Sequence, residues 1–140
     1  MGAHGNSGVV TVLSYEVANS NLLVQFGPFT PAGCETAEYK AGPGEVAIIT
    51  ANVTVYSPNL QFHTYFAPYY VVNMQSVYPI SFYAIQQIPV GGAGTIQHQA
   101  TVNLVAGATY KFRSDIRSPN GLYTAAQVIC RGVVTIGKRD

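Results

Sequence analysis

Apolar and polar residues alternate along much of this chain with a period of two. Between residues 46 and 56, Ala47, Ile49, Ala51, Val53 and Val55 fall on one side, and Thr50, Asn52, Thr54 and Tyr56 on the other. Residues 95–105 repeat the pattern, with Ile96, His98, Ala100, Val102 and Leu104 against Thr95, Gln97, Gln99, Thr101 and Asn103. Residues 109–117 set Tyr110, Phe112, Ser114 and Ile116 against Lys111, Arg113, Asp115 and Arg117. Successive side chains of a strand point to opposite faces, so each segment is a strand with one face in a core. No stretch carries a helical stripe with caps.

Turn signals recur at short intervals: Gly27-Pro28, Pro31-Ala-Gly33, Gly42-Pro-Gly44, Ser57-Pro-Asn59, Gly91-Gly-Ala-Gly94, Ala106-Gly107 and Ser118-Pro-Asn-Gly121. They predict strands over residues 8–17, 21–27, 45–57, 61–66, 69–74, 80–88, 95–105, 109–117 and 122–137, the last bending or breaking near Gly132. Many strands at this spacing make an all-β sandwich or barrel. No repeat, linker or low-complexity tract interrupts the chain. Residues 1–140 are therefore expected to form a single β-sandwich domain with a flexible start over residues 1–8.

Charge changes the picture. From Val46 to Tyr110 there is no Asp, Glu, Lys or Arg, and the whole chain is 9% charged, against about a quarter in ordinary soluble domains. A sheet surface of Thr, Asn, Gln and Tyr without charge suits burial against another subunit, or contact with a neutral polar ligand. Pro58, Pro68, Pro79 and Pro89 interrupt the neutral run, which argues against membrane insertion. A hydrophobic content of 48% excludes disorder, and a net charge of +1 gives no case for nucleic acid. Residues 1–8 lack the basic and apolar regions of a secretory signal. That leaves the localisation open, with extracellular or surface action compatible. Cys34 and Cys130 can form one bridge, but their number does not decide whether they do. No spacing fits a zinc site, and no motif calls for a cofactor.

The order of elements in the second half carries a resemblance. Gln99-Ala-Thr-Val-Asn-Leu104 leads through Val105-Ala-Gly107 to Thr109-Tyr-Lys-Phe112, and Ser118-Pro-Asn-Gly121 leads to Val128-Ile-Cys-Arg-Gly-Val-Val-Thr-Ile136. Upstream, Gly44-Glu-Val-Ala-Ile-Ile-Thr-Ala-Asn-Val-Thr-Val55 stands where a long mid-chain strand is expected. This pattern, over roughly residues 44–137, resembles the tumour necrosis factor-like jelly roll shared by the complement globular heads and some bacterial trimeric lectins. The resemblance implies a two-sheet antiparallel sandwich that packs as a threefold homotrimer. It also implies a recognition module, not an enzyme. Tyr56, Tyr65, Tyr69, Tyr70, Tyr78 and Tyr83 are candidates for the subunit-facing surface, some of them necessarily core.

Four charged side chains, Lys111, Arg113, Asp115 and Arg117, share one face of one predicted strand. Arg and Asp offer donors and acceptors to vicinal hydroxyls, and Tyr123 could stack on the apolar face of a sugar. The same row also reads as an ion-pair ladder, solvated or bridging subunits. His63 and Tyr65 form a second candidate pair, and Tyr83 joins the candidate ligand contacts. A metal site would need more ligands than His63 and His98 supply, so none is expected. The neutral outer row Gln97, Gln99, Thr101 and Asn103 suits an interface ladder better than sugar hydroxyls.

Catalysis has little to stand on. Four of the six carboxylates, Glu16, Glu35, Glu38 and Glu45, lie in the first third of the chain. Nothing cationic beside Cys34 would lower its pKa. Glu35 and Glu38 share one loop, a poor arrangement for two-sided attack on a sugar ring. Asn52-Val-Thr54 matches a glycosylation acceptor, but mid-strand, and Gly91-Gly-Ala-Gly94 lacks the Lys and helix of a phosphate loop. The expectation is a lectin-like trimer that binds glycans and uses no cofactor. Its rival is an assembly domain of a fibre or surface protein without a small ligand.

Overall fold

The computed structural model describes residues 8–24, 29–56, 62–79, 84–88, 92–118 and 123–139. These form strands β1 (Val9–Val24), β2 (Tyr39–Lys40), β3 (Glu45–Tyr56), β4 (Phe62–Val72), β5 (Ser76–Pro79), β6 (Ala84–Ile88), β7 (Ala93–Asn103), β8 (Thr109–Arg117) and β9 (Tyr123–Lys138). One sheet has the order β1-β9-β3-β7. The other has the order β2-β8-β4-β5, with β6 also on β4. Every pairing is antiparallel.

The alternating residues fill the space between the sheets. Ala47, Ile49, Ala51, Val53 and Val55 of β3 are buried against Tyr110, Phe112 and Ile116 of β8 and Phe66 of β4. Tyr110 and Phe112 lie nearly parallel with centroids 6.0 Å apart, and Tyr70 tilts against Tyr110 at 5.8 Å. Tyr70 thus packs on the core side.

The Leu104–Tyr110 turn owes its sequence to its hydrogen bonds. Gly107 takes a φ of 86° that side chains disfavour. Its N–H donates to Ala41 O at 2.8 Å. The Tyr110 hydroxyl accepts from Val105 N–H at 2.9 Å. The Gly and the Tyr of this motif are therefore tied to one backbone geometry.

Several expected boundaries move. The strands expected over residues 8–17 and 21–27 are one strand, β1, up to Val24, and residues 25–27 lie outside the described residues. Leu13, Tyr15 and Val17 face the core before Asn21, and Leu22 and Val24 do so after it. Asn21 has a φ of 53°, and the facing phase changes there while the pairing with β9 continues. β9 does not break at Gly132 but pairs through it on both sides. The strands expected over residues 61–66 and 69–74 are one strand across Pro68, β4, which starts at Phe62 among the described residues and ends at Val72. The pairing of β4 with β6 ends at Phe66 and its pairing with β5 begins at Tyr69. Pro68, which has no N–H to donate, occupies the gap. The neutral run also divides: β3 and β7 lie in one sheet, and β4, β5 and β6 in the other. It is not one continuous wall.

Cys34 and Cys130 are both fully buried and disulfide-bonded, with Cα atoms 5.7 Å apart. The bond ties the segment over residues 29–36 to the middle of β9. That segment runs along the edge of β8 beyond its short pairing with β2. Phe29 and Ile116 exchange backbone hydrogen bonds, Ser114 N–H donates to Cys34 O, and Thr36 N–H donates to Phe112 O.

Candidate functional site

Two surfaces gather the residues the sequence singles out. The first is the outward side of β8. Lys111, Arg113, Asp115 and Arg117 do alternate with the buried Tyr110, Phe112, Ser114 and Ile116. Asp115, however, is 0% exposed, because the 29–36 segment covers it. Thr30 Oγ1 donates to Asp115 Oδ1 at 2.5 Å and Arg113 Nη2 donates to Oδ2 at 3.1 Å. Arg113 Nε lies 3.0 Å from Oδ1. Burial raises the Asp115 pKa above its usual value, partly offset by the Thr30 hydrogen bond and the Arg113 charge. The carboxylate thus holds Arg113 in place and has both oxygens engaged within the chain. At the other end of the row, Lys111 Nζ stands 3.4 Å from Glu35 Oε2, on the covering segment.

The strand register places Tyr65 opposite Arg117 and Tyr69 opposite Arg113. His63 lies in β4, two residues before Tyr65, and Tyr123 begins β9. Tyr83 lies outside the described residues. His98, on β7, is half-buried with its ring 6.2 Å from that of Phe66.

The second surface is the outward face of the four-stranded sheet. The registers set it out in cross-strand rows: Val12, Thr135, Ile48, Thr101; Ser14, Val133, Thr50, Gln99; Glu16, Arg131, Asn52, Gln97; and Ala18, Ile129, Thr54, Thr95. Val12, Val133 and Ile48 are 55%, 47% and 42% exposed. The charges in these rows are Glu16 and Arg131, 3.4 Å apart on neighbouring strands. The β3 and β7 half is neutral, and Thr54 and Thr95 share a hydrogen bond at 2.9 Å across it. An open depression of about 360 Å³ lies among Ser14, Glu16, Asn52, Arg131 and Val133.

Beneath this face, the row Tyr15, Gly132, Ala51, His98 has its smallest residues at the centre. A Cβ on Gly132 would overlap the Tyr15 ring. Tyr15 therefore reaches across the sandwich to hydrogen-bond Ser114 on β8, behind the charged row. Burial pushes its hydroxyl pKa up to about 12.

Comparison with solved structures agrees with this topology. The globular domain of zebrafish complement 1qA matches over 93% of this chain and 100% of that domain, at 10% identity and a TM-score of 0.50. The fold is the tumour necrosis factor-like jelly roll. Murine APRIL matches over 89% of this chain and 99% of its own, also at 10% identity, with a TM-score of 0.46. No family model matches the sequence, and no curated protein does. At such identity the likeness is one of fold alone.

Sequence reasoning missed the Glu16–Arg131 pair, the cover that Thr30 places on Asp115, and the β4–β5 turn. Residues 69–74 read as one strand, whereas β4 ends at Val72 and Asn73, Met74 and Gln75 turn the chain into β5.

Proposed function

We propose that this jelly roll is a non-catalytic recognition module that assembles as a homotrimer and binds carbohydrate on the outward side of β8. The observation that carries the assembly is the outward face of the four-stranded sheet. It combines exposed Val12, Ile48 and Val133 with neutral Thr, Asn and Gln, the composition of a surface meant for cover. Its two halves differ, since the charged pair sits on β1 and β9 while β3 and β7 are neutral. A contact of one half with the other half of the next copy closes a ring, as threefold symmetry requires.

Carbohydrate contact is assigned to Arg113 and Arg117, with Tyr65, Tyr123, His63 and Tyr83 as further contacts and Asp115 as the group that positions Arg113. Guanidinium donors match sugar hydroxyls, and tyrosine rings cover apolar ring faces. Single sites of this kind are weak, and three on one particle raise avidity. A second reading, an assembly domain without a small ligand, is favoured by the ion pairs Lys111–Glu35 and Arg113–Asp115, which satisfy charge within the chain.

A glycan array separates the two. Arg117→Ala is the variant to use. Arg113→Ala would strand the buried Asp115 carboxyl, at a cost of about 3 kcal/mol. The recognition reading expects Arg117→Ala to keep its mass and melting temperature and lose the glycans bound by the parent. An array that stays blank for a folded trimer favours the assembly domain.

A further inference from the structure

Beside the Lys111 end of the charged row is a pocket of about 170 Å³. Val71, Met74 and Tyr110 give it apolar walls, and Glu35, Glu38 and Lys111 give it a polar rim. Its size, charge and one backbone feature bear on what it takes.

A cavity of about 150 Å³ accepts a benzene ring, so this pocket has room for one six-membered ring. Glu35 is paired with Lys111 at 3.4 Å. Glu38, exposed at the rim, leaves the lining with an excess of one negative charge, two carboxylates against one ammonium. Such a rim favours a neutral or cationic ring over an anionic one.

Met74 is the telling residue. Asn73 and Met74 sit in a three-residue loop between the paired Val72 and Ser76 and have φ values of 51° and 60°. Positive φ is a conformation that glycine or asparagine adopts far more readily than other residues. A methionine there is strained. It is also 79% exposed, so it adds nothing to the core. The turn is anchored on β8, since Asn73 N–H donates to Thr109 O at 2.7 Å and Thr109 N–H donates to Asn73 Oδ1 at 2.8 Å. A rigid turn thus holds a flexible, polarizable side chain at the pocket mouth, the residue type that adapts to varied apolar surfaces. Strain kept at an exposed position points to a use at that position.

We infer that this pocket is a subsite for a single neutral or amino-substituted hexose ring. Met74 covers the ring's apolar face, and Glu38 accepts from its hydroxyl or ammonium group. The identity of the ring rests on the carbohydrate reading above. The inference adds a subsite at the Lys111 end of the row, on the far side of Arg113 from Arg117.

The chain has two methionines, Met1 and Met74, so methyl-labelled protein reports the pocket directly. It is titrated with glucosamine, glucose, glucuronate and cyclohexylamine while the Met74 methyl resonance is followed. The expected order of affinity among the sugars is glucosamine, glucose, glucuronate. Glu38→Gln should cut the advantage of glucosamine over glucose roughly two- to fivefold. Met74→Gly should raise the melting temperature by relieving the turn, and weaken both favoured sugars roughly fivefold. Sugars that bind without moving the Met74 methyl, or that bind Met74→Gly as tightly as the parent, overturn the subsite and leave the carbohydrate reading standing. Cyclohexylamine moving that methyl while no sugar binds anywhere overturns the sugar assignment together with the carbohydrate reading.

Discussion

Tyr15 and Gly132 show how a single missing side chain decides a packing arrangement. The ring of Tyr15 occupies the space a Cβ at position 132 would need, and its hydroxyl reaches Ser114 on the opposite sheet. Gly132→Ala should cost about 2 kcal/mol through overpacking. Adding Tyr15→Leu should remove most of that cost, because the two changes share one space. Urea titration of the single and double variants measures the coupling. Tyr15 also gives the fold an alkaline limit. Its folded pKa of about 12 stands above the ordinary 10.0. The stability tied to the neutral phenol is therefore complete below pH 10 and is lost as pH rises towards 12. Tyr15→Phe should remove about 2 kcal/mol of that decline. Tyr39, pushed up to about 12 by burial and by the Glu45 carboxylate its hydroxyl bonds, still contributes its own part. Stability measured from pH 8 to 12 reads the difference between the two proteins.

At the scale of elements, the segment over residues 29–36 depends on its covalent anchor. It has no regular strand of its own, yet it covers Asp115 and carries Glu35 to Lys111. The Cys34–Cys130 bond closes a loop of sequence separation 96, a span for which chain entropy gives about 4–5 kcal/mol. Replacing both cysteines by alanine should lower the melting temperature by on the order of 10–20 °C. Amide exchange should then accelerate in residues 29–36 before the central strands. Protection of that segment left unchanged would remove its dependence on the bond.

The elements also differ in how legible they were. β3, β7 and β8 could be read from alternation, because each has one face in the core and keeps one phase throughout. β1 hid its length because Asn21 reverses the phase midway. β4 looked like two strands because Pro68 breaks the pattern, although its missing N–H falls where no neighbouring strand needs it. β2 and β5 are too short to carry a period. The charged row on β8 was visible as spacing. Its cover was not, since Thr30 lies eighty-five positions away and meets Asp115 only through the fold. The pocket at Met74 is of the same kind, joining the turn after β4, the segment before β2 and the start of β8.

At the scale of the whole molecule, charge is placed unevenly. The outer side of β8 holds three of the seven cations in one row. The outward face of the four-stranded sheet is mostly neutral and partly apolar. A partner copy would cover Val133 and Thr50 near the middle of that face. A lysine at Thr50 would then have to lose its hydration in the interface, whereas in a free protomer it would remain in water at little cost. The measurement that tests this most directly is the solution mass of the parent and of Thr50→Lys by size-exclusion chromatography with light scattering. The assembly account predicts three chains per particle for the parent and a folded single chain for the variant. A parent that runs as one chain at micromolar concentration, with that face open to water, would contradict it.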